Sequence, residues 1–76
     1  MLNDHNIRDS FEHFCIEYDR TVIWLQTVRH NLNSNTKIQQ LEKEVIQNRT
    51  EALSVSLLKI REQIREIRYF VERLKE

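Results

Sequence analysis

IRDSFEHFCIEYDRTVIWLQTVRHNL, residues 7–32, places Ile7, Phe11, Phe14, Tyr18, Thr21, Leu25, Val28 and Leu32 at alternating steps of four and three. All are apolar or aromatic except Thr21. Steps of that kind align side chains along one side of an α-helix. A strand would send Phe11 and Phe14 to opposite faces. Asn3 or Asp4 can cap the start, and Asp9 and Glu12 lie early enough to suit the positive helix end. The spacing predicts helix 1 over about residues 4–32, roughly 43 Å long at 1.5 Å per residue.

Beyond it stands NLNSNT, residues 31–36, which is the one cluster of turn residues in the chain. Asn tolerates the left-handed conformation that a helix C-terminus favours, and here it substitutes for glycine. Thr36 followed by Gln39 reads as a capping box that opens a second helix. A turn at 33–35 is short, so helix 2, over about 36–75, folds back antiparallel. Its apolar pattern starts at Ile38, Leu41 and Val45, weakens through Asn48, Ala52 and Val55, and changes phase. From Leu53 it runs through Leu57, Ile60, Ile64, Ile67, Val71 and Leu74. One continuous helix, locally over- or under-wound, accounts for the shift. The alternative is a break at Asn48, with Glu51 as capping partner, giving a three-helix bundle. Nothing between residues 47 and 51 forces a stop, so the continuous helix is expected.

Composition agrees with an all-α chain. It has no glycine and no proline, where average usage gives about nine of the two together. Tight β-hairpin turns lose their usual residues, while helices joined by polar turns do not need them. Twelve basic and twelve acidic residues give no formal net charge. Cys15 is the only cysteine, which excludes an internal disulfide and a four-thiolate zinc site. The first residues have no basic region and no apolar segment of a signal peptide. The longest apolar run is Val22–Leu25, far short of a membrane span. A cytoplasmic or otherwise intracellular location is the expectation. Seventy-six residues make one domain at most, residues 1–76, in a range where a lone core gives marginal stability.

No catalytic constellation emerges. His5, His13 and His30 never pair at a four-residue spacing, and His13 with Glu17 supplies two possible ligands without a third. The expectation is no metal, no cofactor and no enzymatic activity. Cys15 reads as a small apolar side chain flanking the seam. Lys59, Arg61, Arg65, Arg68, Arg73 and Lys75 form a basic series, but Glu62, Glu66, Glu72 and Glu76 interleave with it and largely cancel its field. A nucleic-acid-binding helical hairpin with Arg61, Arg65, Arg68 and Arg73 on phosphates is therefore the alternative reading.

Two features point to protein partners. Leu2, Ile16 and Ile23 fall at one heptad position opposite the helix 1 seam, the two isoleucines seven residues apart and beside Trp24. Helix 2 also outruns helix 1 by about 11 residues, some 16 Å at the helical rise. Ile67, Phe70, Val71 and Leu74 would then lack an intramolecular neighbour. The expected fold is an antiparallel, coiled-coil-like helical hairpin that oligomerises into a bundle. Its expected role is a non-enzymatic interaction module, such as an assembly subunit, adaptor or small co-chaperone. The binding residues would be Ile16, Ile23, Trp24, Ile67, Phe70, Val71 and Leu74, set against a second copy or another helical protein.

Overall fold

The computed structural model describes residues 7–74, and within them the chain is two helices packed against each other. Helix α1 runs Ile7–Ser34 and helix α2 runs Gln40–Val71. Expectations placed on Leu2, Asn3, Asp4, His5, Lys75 and Glu76 lie outside the described residues.

The connection differs from the one expected. Asn35 does not take a left-handed backbone; among the described residues none has a positive φ. Its side chain carries the turn instead: Oδ1 accepts the backbone N–H of Lys37 at 2.7 Å and of Ile38 at 3.2 Å. Those two amides are among the first-turn donors that a helix starting at Thr36 would leave without partners, so the local Asx turn competes with it. The capping box is absent. Gln39 is the N-cap, extended at φ −65° and ψ 147°, with no side-chain cap bond. Its carbonyl accepts the first helical bond, from Lys43 N–H at 2.9 Å.

Helix α2 continues through residues 47–51 without a break, so the three-helix alternative is not adopted. The phase change has another cause. Gln47 Nε2 donates to Asn33 Oδ1 at 3.4 Å, which sets residue 47 beside the end of α1. The first two turns of α2 thus lie past the last residue of α1, where apolar side chains have no α1 surface to face. At the other end the Arg8 guanidinium donates to the carbonyls of Glu72 and Leu74. The expected C-terminal overhang is therefore corrected: α2 projects at its N-terminal end, because the connecting segment uses its length along the hairpin axis.

Two contacts fix the register between these ends. Arg29 Nη1 donates to Ser54 Oγ at 3.2 Å, and Arg68 Nη2 donates to Cys15 Sγ at 3.2 Å. Fourteen residues back along α1 matches fourteen forward along α2, so one antiparallel alignment holds over four turns. Phe11, Leu32, Thr50 and Ile64 are buried between the helices, with Cys15, Tyr18, Val22, Leu25, Leu57, Ile60 and Val71 half-buried. The Thr50 hydroxyl donates to the Gln47 carbonyl at 3.0 Å, so no polar atom is stranded there.

The inward face is rotated from the one expected. Cys15, Val22 and Leu25 turn toward α2, whereas Phe14, Thr21 and Val28 are exposed. On α2, Leu53, Ile67 and Leu74 are likewise exposed, while Thr50, Ser54 and Arg68 lie inward. The assignment of all eight helix 1 positions to one intramolecular seam is thus corrected. A two-helix contact covers only a narrow strip of each helix, and both sequences carry more apolar residues than one strip can hold.

Candidate protein-binding surface

The hairpin has two unlike edges. One opens into a groove of about 650 Å³ lined by apolar residues such as Val22, Ile23, Leu57 and Leu58, with Asp19, Gln26, Arg29 and Arg61 at its sides. A smaller concavity of about 330 Å³ continues it past Cys15, Asp19, Arg65 and Arg68. Asp19 and Gln26 follow the inward Tyr18 and Leu25 in sequence, as Leu58 and Arg65 follow Leu57 and Ile64. This edge is the one reached by stepping one residue forward from those inward positions, and it mixes charge with apolar surface.

Stepping one residue back from Cys15, Val22 and Arg29 leads to the opposite edge. There α1 presents Phe14, Thr21 and Val28, with Ile7 one turn pair earlier. The same step on α2, from Ser54, Arg61 and Arg68, gives Leu53, Ile60 and Ile67, with Ile46 and Leu74 extending the row. Along the alignment set by Arg29–Ser54 and Cys15–Arg68, Phe14 comes within two residues, about 3 Å, of the level of Ile67, and Val28 of the level of Leu53. Neither row contains a charged residue. Thr21, the one polar member, donates its hydroxyl to the Glu17 carbonyl at 2.8 Å, so that donor is satisfied within the helix. Apart from Thr21 and the half-buried Ile60, the side chains expose between 36% and 53% of their surface. Trp24 and Phe70, each 67% exposed, sit on the outer margins of the two rows, three residues along from Thr21 and Ile67.

The residues proposed for binding divide accordingly. Ile67 and Leu74 belong to the α2 row, and Trp24 and Phe70 flank the two rows. Ile16 and Ile23 are exposed on the grooved side, apart from that surface, with Ile23 lining the groove itself. Val71 is half-buried and shares the inward face with Ile64. Ile7, Phe14, Val28, Ile46, Leu53 and Ile60 were not singled out from sequence, because a run of four- and three-residue steps assigned most of them to the internal seam. The signal that separates them is the neighbouring lane, Cys15, Val22 and Arg29, one residue further on.

Three of the four C-terminal arginines, Arg65, Arg68 and Arg73, have partners within the hairpin. Arg68 sits in the interhelical seam, with its guanidinium 5.3 Å from the centre of the Phe11 ring and 3.7 Å from Glu12. Arg65 lies 3.7 Å from Glu62, and Arg73 stacks over Tyr69 at 5.0 Å. Arg61 borders the groove. The Arg68 guanidinium thus has partners on α1, Glu12 and the Phe11 ring, within the hairpin itself.

Among the described residues no group of three or more His, Cys, Asp or Glu side chains is placed to hold a metal ion. No described helix is long and apolar enough to cross a membrane. No family model matches the chain, and neither a curated protein nor a solved structure is significantly similar to it.

Proposed function

We propose that the chain is a non-enzymatic protein–protein interaction module, an assembly, adaptor or co-chaperone-like subunit that packs amphipathic helices against its own uncharged edge. The observation that carries this reading is the double row from Ile7 to Val28 and from Ile46 to Leu74, apolar at every position but Thr21. Isolated exposed apolar residues are ordinary on a protein surface, but contiguous apolar area on a small chain marks a place where another molecule sits.

The dimensions support the same view. A compact chain of 76 residues has a radius of gyration near 11 Å, whereas the hairpin has 17.2 Å and extends 54 × 23 × 17 Å. Its accessible surface is 6720 Å² for 9.3 kDa, where a folded monomer of that mass exposes about 5,000 Å². Among the described residues three apolar side chains, Phe11, Leu32 and Ile64, are buried. A core of that size is characteristic of a subunit that completes its packing against another chain. The nucleic-acid alternative gains no support from the arginines, three of which already lie against Glu12, Glu62 or Tyr69.

The test is thiol protection. With Cys15→Ser as background, Ile67→Cys places a single reactive group in the α2 row. In extract of the cells that make the protein it should react at least about tenfold more slowly than in the urea-unfolded chain, since a covered site admits reagent only on opening. Equal rates would refute an occupied face.

A further inference from the structure

We propose that the occupant of the uncharged edge is a second copy of the same chain, the two hairpins meeting face to face as a four-helix bundle about a twofold axis. This rests on the reading of that edge as a protein-binding surface and names its partner.

Width is the first argument. The face consists of two level rows on neighbouring helices, and Trp24 and Phe70 extend it outward on both sides. One helix laid along the midline would cover the rows and leave both aromatic side chains wet. Two helices side by side reach all of it, each opposing one row in the arrangement that four-helix bundles use. The occupant must therefore present a pair of helices, uncharged over about 32 Å, the rise from Ile7 to Val28. This chain presents such a pair.

Area is the second. Taking roughly 200 Å² for a fully exposed large side chain, the two rows leave about 700 Å² to cover, and the two flanking aromatics bring this to about 1,000 Å². A standard stable interface takes about 800 Å² from each partner. One hairpin on another fills that requirement without help from the grooved edge. Charge is the third: twelve positive and twelve negative residues leave no net repulsion between copies. Glu17, one position outside the α1 row, is already paired with Arg20 at 3.0 Å. An isologous contact also repeats every favourable pairing twice, which suits a face whose two rows are equally apolar.

The experiment is sedimentation equilibrium on the purified full chain over a hundredfold concentration range, with thiol labelling of the Cys15→Ser, Ile67→Cys form on the same samples. The expected result is a mass of twice 9.3 kDa at the upper end, with labelling slowing in step with the dimer fraction. Phe14→Glu with Ile67→Glu should raise the dissociation constant at least about a hundredfold by placing unpaired charges in the contact. Ile23→Glu with Leu58→Glu, on the grooved edge, should leave it unchanged. Should the first pair lose helicity, Ile67→Ala is the gentler variant and still weakens the dimer. A dimer whose Ile67→Cys thiol stays fully reactive would overturn the proposal, as would one that survives Phe14→Glu and Ile67→Glu. A purified chain that stays monomeric while Ile67→Cys is protected in cell extract would overturn the second copy and leave the binding reading intact. Reactivity in both settings would remove both.

Discussion

Ile64 and Ile67 lie three residues apart on α2, yet cutting each to alanine should have separate consequences. Ile64 is 8% exposed between the helices, whereas Ile67 is 46% exposed in the α2 row. Isoleucine to alanine removes three carbons, worth about 2.4 kcal/mol if all are withdrawn from water. At Ile64 the cavity left behind adds to this, so a loss of about 2.5–4 kcal/mol is expected for the hairpin itself. At Ile67 roughly half of the effect, about 1 kcal/mol, belongs to the hairpin, slightly offset by alanine's better helix propensity. The other half appears only when the face is covered. In a twofold contact it counts once per copy, about 2 kcal/mol per dimer and roughly 30-fold in the dissociation constant. The assay is urea unfolding followed by circular dichroism, at protein concentrations a hundredfold apart. Ile64→Ala should lower the midpoint at both concentrations. Ile67→Ala should lower it more at high concentration, where the parent chain gains from association and the variant gains less. An Ile67→Ala shift that is the same at both concentrations would refute the argument that this side chain is covered.

Arg68→Ala should cost about 1 kcal/mol through loss of the Phe11 ring contact and the partly exposed Glu12 pair, and Arg68→Lys should recover less than half, having no planar fork; urea midpoints measure both. Asn35→Ala removes the acceptor for the Lys37 and Ile38 amides and should cost about 1 kcal/mol, with the loss seen as faster amide exchange in residues 36–39. Fluorescence anisotropy should show DNA and RNA binding weaker than about 1 μM at 0.15 M salt, since little uncancelled basic surface remains to release counterions. Submicromolar binding lost on Arg61→Glu with Arg65→Glu would reinstate the alternative reading.

Helix content and the folding back of α2 were legible because the absence of glycine and proline and the apolar periodicity all favour helices joined by one polar turn. The turn itself was legible only in place. Which of Asn31, Asn33, Asn35 and Thr36 would arrest the helix depends on local hydrogen bonds, and Asn35 accepts the Lys37 and Ile38 amides, holding residues 35–38 in an Asx turn in place of a helical first turn. That local choice delays α2 to Gln40 and moves the projecting end from the C-terminus to the N-terminus of the helix. A shift of a few residues at a turn thus changes which side chains lack an internal partner.

The harder ambiguity was between adjacent lanes. On α1 the steps Phe11–Phe14–Tyr18–Thr21–Leu25–Val28 and Phe11–Cys15–Tyr18–Val22–Leu25 share half their members, and either describes a satisfactory helix face. Hydrophobicity ranks the first lane higher, since it holds Phe14 and Val28 where the second has Cys15 and continues to Arg29. The structure turns the second lane toward α2, where Cys15 accepts a hydrogen bond from Arg68, Tyr18 donates to the Leu57 carbonyl, and Arg29 reaches Ser54. On α2 the inward face carries Thr50, Ser54 and Arg68 beside Leu57, Ile64 and Val71, while Leu53 and Ile67 are exposed on the neighbouring lane with the half-buried Ile60 between them. In both helices small or polar side chains enter the seam, Cys15 on α1 and Thr50, Ser54 and Arg68 on α2, while the apolar Phe14, Val28, Leu53 and Ile67 are left exposed on a common edge. Had burial within one chain been the sole determinant, the richer lanes would have closed on each other. Their joint exposure on one edge follows if each helix has two neighbours, one within the chain and one supplied from outside it.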